Sequence, residues 1–178
     1  MAKRKPKKIK KKKLESKPRI RRRLYKLCLE IAKIRAGYRC EICDQPLGYM
    51  HNGKPQRLET HHGFSRNVKN SPLKFALDNL FCLCTLCHKT GETSAHKNGL
   101  IFAMNVQIKY PDRYYFIVNH WQDRVDLEDR EVLYAIERDL KEQDTKWKSI
   151  HWADTQANQT NTITQEALDG SNQEIKNA

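Results

Sequence analysis

The sequence predicts an α+β fold with a small core held together by zinc, helical additions at both ends of that core, and disordered tails. Two short apolar segments predict strands, and apolar residues at spacings of three and four predict the flanking helices. Two Cys-x-x-Cys pairs predict the zinc site. Only 38% of the 178 residues are hydrophobic and 31% are charged, which indicates one compact domain plus flanking segments.

The first segment, residues 1–23, is predicted to be a disordered basic arm. The net charge of the chain is +13, and residues 1–26 contain fifteen Lys or Arg and one Glu. Such a run repels itself and has little to bury. It could be only a solvated tail, but contact with phosphates would release counterions, so we expect it to bind nucleic acid. The candidate contacts are Lys10, Lys11, Lys12, Lys13, Arg21, Arg22 and Arg23.

Helical and extended patterns then alternate along the chain. Apolar residues at helical spacing predict a first helix from Ile20 to Ala36. Two short strands are predicted at 57–60 and 80–83, separated by a loop. Beyond Gly99, three helices are predicted at 100–110, 112–121 and 126–147.

These patterns divide the chain into four parts. The Gln/Asn/Thr-rich composition from about Ser149 onward predicts a disordered tail. The predicted parts are the arm (1–23), the core (24–98), a helical C-terminal region (99–148) and the tail (149–178).

Four cysteines form two pairs with the spacing of zinc knuckles. Cys40-x-x-Cys43 and Cys84-x-x-Cys87 each direct two thiolates at one point, and two such turns complete a tetrahedral site. Four thiolates leave no position for a reactive water, so the predicted zinc is structural. Disulfides or a redox Cys-x-x-Cys are the alternatives, and two pairs in a chain expected in the cytosol favour zinc.

Histidines and an asparagine accompany these pairs in a recognisable order. The segments Leu58-Glu59-Thr60-His61-His62, Asp78-Asn79-Leu80 and Leu83-Cys84-x-x-Cys87-His88 resemble the HNH endonuclease motif in its four-cysteine form. The resemblance covers about residues 38–98. The layout downstream, Ala95-His96-Lys97-Asn98-Gly99 and then Tyr110-Pro111-Asp112, is similar to phage-encoded HNH proteins, including the NinG/Rap recombination nucleases.

The resemblance implies a ββα-metal core, made of a hairpin and a helix with one divalent ion between them. His62 is the expected general base, because a neutral imidazole can take a proton from water at neutral pH. Asn79 is expected to hold the loop between the strands. His61 and His88 are expected to bind the catalytic ion, and His96 to be a third ligand or a phosphate contact. A register slip of one residue would exchange the roles of His61 and His62.

Two further cations, Arg66 and Lys97, are candidate phosphate contacts, although a solvated charge is the alternative for each. The expected catalytic ion is Mg²⁺ or Mn²⁺, since hard ions suit phosphate, while imidazoles would also tolerate Ni²⁺ or Zn²⁺. Family resemblance implies cleavage to a 5′-phosphate and a 3′-hydroxyl.

The sequence thus predicts a metal-dependent DNA endonuclease, phage-encoded and acting in DNA recombination or processing. The alternatives are a non-catalytic zinc-containing nucleic-acid-binding protein and an RNA-binding or ribosome-associated protein. We expect no membrane partner, because no apolar run reaches about 18 residues. We expect a cytoplasmic protein, in the host cell if phage-encoded. Expected partners are DNA and other phage or host DNA-processing proteins. A homodimer remains open, since one site cuts one strand.

Overall fold

The computed structural model describes the backbone of residues 14–176 and the side chains of residues 14–156. Lys10, Lys11, Lys12 and Lys13 of the predicted arm lie outside the described residues. Within the described part the fold is α+β, as the sequence predicts. Its helices are α1 (Lys17–Arg35), α2 (Gly99–Lys109), α3 (Pro111–His120) and α4 (Arg130–Lys176). Its strands are β1 (Met50–His51), β2 (Lys54–Pro55), β3 (Leu58–His62) and β4 (Leu80–Cys84). No helix in this part of the chain is long and apolar enough to cross a bilayer.

Helices α1 and α4 lie side by side and form one of two apolar clusters. Lys17 meets Glu128 at one end of the pair, and the rings of Tyr38 and His151 lie 5.6 Å apart at the other, so the two helices run parallel. The buried side chains between them follow helical spacing in the sequence. They include Ile20, Leu24, Cys28, Ile31, Leu133 and Leu140.

The N-terminal boundary of α1 corrects the predicted arm. The helix begins at Lys17, so residues 17–23 are helical and not disordered. Arg21 donates to the carbonyl of Leu127 at 2.6 Å, and Arg23 donates to Glu137 at 2.7 Å. Two of the predicted DNA contacts, Arg21 and Arg23, therefore bind groups on the α4 side of the α1–α4 pair. Arg22 is exposed.

The predicted tail is also corrected, because α4 continues to Lys176. Trp147 packs against the α1–α4 cluster, and His151 contacts Tyr38, so tertiary contacts carry the helix past the predicted end. At the other end, the Asp129 carboxylate accepts a hydrogen bond from the backbone N–H of Glu131 at 2.8 Å. This side-chain cap explains why α4 starts at Arg130 and not at 126.

Glu137 is the buried charge of the α1–α4 pair. Its side chain is only 7% exposed and accepts hydrogen bonds from Arg23 at 2.7 Å and from Lys141 at 2.8 Å. The bond from Arg23 is the main reason why the pKa of Glu137 is lowered to about 2. Because the folded pKa is depressed, this stabilisation is complete above the unfolded pKa of about 4.3. It is lost as the pH falls from there toward 2.

We therefore expect Glu137→Gln to lower the free energy of unfolding by about 1–3 kcal/mol at pH 7, since a charged hydrogen bond is lost. The difference from wild type should shrink toward pH 2–3, where Glu137 begins to protonate. Urea titrations followed by circular dichroism at both pH values measure this. Glu142→Gln, an exposed site on the same helix, is the matched control. An equal loss at both pH values would contradict the assignment.

The second apolar cluster surrounds the antiparallel pair β3–β4. In this pair His61 lies opposite Phe81 and His62 lies opposite Leu80. Every residue of β4 is buried, which agrees with the predicted apolar strand. Phe102 and Val106 of α2 complete the cluster, and Phe81 and Phe102 meet edge to face at 5.6 Å.

Helix α3 packs against the loop that follows β3. A Cβ on Gly63 would lie 2.9 Å from the Phe81 ring and 3.0 Å from Cδ1 of Ile117. A side chain at position 63 would therefore press on the Phe81 ring and on the end of the Ile117 side chain, and these side chains would have to shift. The close approach places α3 next to the end of β3.

Candidate metal centres and cleft

Four cysteines come together as the sequence predicts and could hold a metal ion such as zinc. The sulfur atoms of Cys40, Cys43, Cys84 and Cys87 all lie within 4.8 Å of one another. The Cys43 and Cys84 sulfurs are 3.7 Å apart, and two ligands of a tetrahedral zinc with bonds of about 2.3 Å would be about 3.8 Å apart. None of the six cysteines forms a disulfide.

The first knuckle is tied to β4 by backbone and side-chain bonds. The Cys40 N–H donates to the Gln45 carbonyl at 2.9 Å, and the Glu41 N–H donates to the Cys82 carbonyl at 2.8 Å. The Glu41 carboxylate in turn accepts from the Cys82 N–H at 2.6 Å. The first bond closes the knuckle itself, and the two bonds between Glu41 and Cys82 hold it against the strand of the second knuckle, about forty residues away in the sequence.

The Glu41 carboxylate also joins two partly buried arginines. Arg113 of α3 donates to it at 2.6 Å, and Arg35 of α1 lies 3.4 Å away. Arg113 also stacks over Phe81, with 3.8 Å between its guanidinium carbon and the ring centroid. This network connects the knuckle, the hairpin and two helices, and sequence reasoning missed it.

Three histidines form a second group able to hold a metal ion. Ring nitrogens of His61, His88 and His96 all lie within 4.8 Å of one another. The Nε2 atoms of His88 and His96 are 3.1 Å apart. Two nitrogens bound at about 2.1 Å and at right angles to one ion would lie about 3.0 Å apart. The spacing therefore fits two imidazoles sharing one ion.

The local backbone explains how His96 reaches this group. The helix expected to begin at the second knuckle is one wide turn, Leu86–Thr90. The chain then folds back, because the N–H of Ala95 donates to the Cys87 carbonyl at 2.9 Å and the N–H of His96 donates to the His88 carbonyl at 3.2 Å. The seven residues between His88 and His96 thus close a loop and bring both rings together.

Burial keeps the inner histidines neutral, which is the form that binds metal. Burial is the main reason why the pKa of His61 is lowered to about 3, and the neighbouring His88 and His96 contribute to the same shift. Burial also lowers the pKa of His88, against the opposing effect of Glu59.

Glu59 is the residue of this group that sequence reasoning missed. Its Oε2 atom accepts from His88 Nδ1 at 2.6 Å and from Lys89 Nζ at 2.5 Å. Nδ1 of His88 therefore carries the proton, and its Nε2 lone pair remains available toward His96. The signal was present in the sequence, since Glu59 and His61 are two residues apart and share one face of β3.

His62 has a different environment from its neighbour His61. Its Nε2 atom donates to the Lys74 carbonyl at 3.1 Å. The neutral ring therefore carries its proton on Nε2 and leaves Nδ1 as an acceptor. Burial lowers the pKa of His62, so the ring stays unprotonated at neutral pH.

Asn79 holds the loop between β3 and β4 from the inside. It is fully buried, and its Oδ1 accepts from the N–H of Phe64 at 2.6 Å. Its Nδ2 donates to the carbonyls of Phe64 at 3.0 Å and Leu73 at 2.9 Å. The second of these contacts fixes the segment that carries the Lys74 carbonyl, and with it the orientation of His62.

A cleft of about 550 Å³ opens beside these histidines. Arg66, a candidate phosphate contact, lines the cleft, and so does Lys89, which the sequence did not single out. Lys97 does not line it and instead pairs with Glu92 at 3.1 Å on the surface. The residues around the cleft are Thr60, His61, His62, Gly63, Ser65, Arg66, Asn67, His88, Lys89 and His96.

Comparison with known proteins gives no match to this chain. No model of a protein family, no curated protein and no solved structure resembles it closely enough to count as one.

Proposed function

We propose that this chain is a metal-dependent DNA endonuclease of the HNH type, with β3, β4 and the turn 86–90 as its ββα-metal core. One observation carries the proposal. One cleft is lined both by His62 and by the cluster of His61, His88 and His96. Nε2 of His62 donates to a backbone carbonyl, which leaves its Nδ1 free to accept a proton. Phosphodiester hydrolysis needs both a base for water and a cation at the phosphate.

The donor set of the histidine cluster fits a divalent ion. Three ring nitrogens converge, and Glu59 orients one of the rings from behind. His61, His88 and His96 would hold the ion, which we propose to be Mg²⁺ or Mn²⁺. A bound ion would supply positive charge to the scissile phosphate as negative charge develops there.

The chain's own residues supply the remaining functions. Nδ1 of His62 takes the proton from the attacking water, because Nε2 is occupied by the Lys74 carbonyl. Asn79 keeps this arrangement rigid by fixing both ends of the loop. A base held in one orientation is effective because its geometry is set before the substrate arrives.

Cations around the cleft would bind the DNA backbone. Arg66 and Lys89 line it directly. The exposed Arg22 and the lysines of the N-terminal segment would add contacts that depend on salt and not on sequence. Within this proposal the setting is phage DNA recombination or processing, which rests on the HNH resemblance alone.

The test of the proposed function is a cleavage assay with supercoiled plasmid and purified protein. Nicking that requires added Mg²⁺ or Mn²⁺, stops after brief chelation and returns when the ion is restored is the expected result. Protein that binds plasmid but leaves it intact with each divalent ion would overturn the proposal. Zinc should be measured in the same sample, so that a loss of fold is not mistaken for a loss of activity.

Glu59→Gln should weaken the divalent-ion site by about 10–100-fold, because the carboxylate no longer orients His88 or raises its basicity. Calorimetric titration with Mn²⁺ measures this without reference to cleavage. At saturating Mn²⁺ the cleavage rate should return close to that of wild type. Glu92→Gln, which removes an exposed carboxylate paired with Lys97, is the control and should leave Mn²⁺ affinity unchanged. Equal Mn²⁺ affinities for Glu59→Gln and wild type would contradict this role.

A further inference from the structure

We propose that Phe64 and Trp121 form an aromatic platform at the rim of the cleft that stacks on unpaired bases. The substrate would then be DNA with single-stranded nucleotides next to the cleavage site. This inference rests on the proposed nuclease function and adds the class of substrate.

The position of the platform follows from contacts already described. Phe64 lies between Gly63 and Ser65, both of which line the cleft. Ile117 of α3 lies against Gly63. Trp121 is one helical turn beyond Ile117, so it lies on the same side of α3. Its ring meets that of Phe64 edge to face, with centroids 6.2 Å apart.

Both rings sit on a backbone held by hydrogen bonds, and the Trp121 ring is exposed, which suits a binding surface. Asn79 bonds to both the N–H and the carbonyl of Phe64, so this residue is fixed at the base of the platform. Trp121 is 46% exposed although it is one of the largest apolar side chains. The Arg124 guanidinium donates to the Trp121 carbonyl at 3.1 Å, which holds the backbone at this end of α3. An exposed ring on a fixed backbone can stack with little ordering cost.

Charge favours nucleic acid as the occupant. The adjoining cleft is lined by Arg66 and Lys89, so a polyanion would place its phosphates there and its bases on the rings. In a regular duplex the bases are stacked on each other and cannot reach a protein aromatic ring. Stacking on Trp121 therefore requires unpaired bases, and such contacts tolerate any sequence.

The test compares the binding of fluorescein-labelled oligo(dT) and of a labelled duplex of equal length. The buffer contains no added divalent ions, so that no cleavage occurs. A salt concentration of about 0.3 M weakens the contribution of the basic arm to DNA binding, so that the contribution of base stacking can be measured. Trp121→Ala should weaken oligo(dT) binding about tenfold, the effect of one lost stacked base, and leave duplex binding within about twofold. Trp121→Phe should retain most of the oligo(dT) affinity.

Trp152→Ala is the matched control, because Trp152 is 67% exposed on α4 and far along the chain from the cleft. It should change neither affinity. Unchanged oligo(dT) binding by Trp121→Ala would overturn the platform, and so would an equal loss for both DNAs. Because this assay measures binding alone, it separates failure of the platform from failure of the nuclease. If wild type nicks plasmid and Trp121→Ala binds oligo(dT) normally, the platform proposal fails and the nuclease proposal stands.

Discussion

Replacing His62 with Ala is expected to slow strand cleavage by about 10²–10⁴-fold, which corresponds to about 3–5 kcal/mol of activation free energy. The reason is that a general base acts only in the transition state, where it removes the proton of the attacking water. In the proposed function DNA is bound by cations elsewhere, so the affinity for DNA should stay close to that of wild type. Single-turnover cleavage of a labelled oligonucleotide measures the rate, and filter binding measures the affinity.

The variants His61→Ala and His88→Ala provide the contrast. Both remove a ring from the three-histidine cluster, so their defects should be partly rescued by raising Mg²⁺ or Mn²⁺, whereas the His62→Ala defect should not. Suppose instead that His62→Ala cuts near the wild-type rate while His61→Ala is inactive and resists added metal. The two histidines would then have exchanged roles. Normal cleavage by all three variants would contradict the HNH proposal itself.

Local patterns predicted the parts of this molecule that depend on local chemistry. The knuckles follow from a two-residue spacing, and β4 follows from a short apolar run, so both could be read from the sequence. The structure also brings His96 to His61 and His88, although the sequence left its role open between ligand and phosphate contact. The closing turn that achieves this uses backbone bonds, which leave no residue-type signature.

Features that depend on distant pairing were missed. The ion pair of Glu41 with Arg113 joins residues 72 positions apart, and no single-segment pattern indicates it. The predicted arm extends to residue 23, although α1 begins at Lys17, because Arg21 and Arg23 look like part of a charge run until their partners on the α4 side are known. The end of the packed part of α4 was missed for a similar reason, since Trp147 and His151 make contacts that composition does not predict.

Loss of the four-cysteine site is expected to have the largest effect on stability. We expect about one tightly bound zinc per chain, and Cys40→Ser or Cys87→Ser should give unfolded or insoluble protein. A structural zinc contributes on the order of 10 kcal/mol to the folding of small domains. The total stability of a domain is only about 5–15 kcal/mol, so no other contact could compensate for the loss.

The geometry indicates which part of the fold would be destabilised first. The knuckles fix the end of β4 against the segment that carries Glu41, and β4 in turn pairs with the strand that carries His61 and His62. Cys82→Ala is the matched control, because Cys82 is buried on the same strand and is not one of the four clustered cysteines. It should keep one zinc per chain and a cooperative thermal transition by circular dichroism. Elemental analysis that finds no zinc in folded, active wild-type protein would refute a structural zinc, and so would a folded Cys87→Ser variant with unchanged thermal stability.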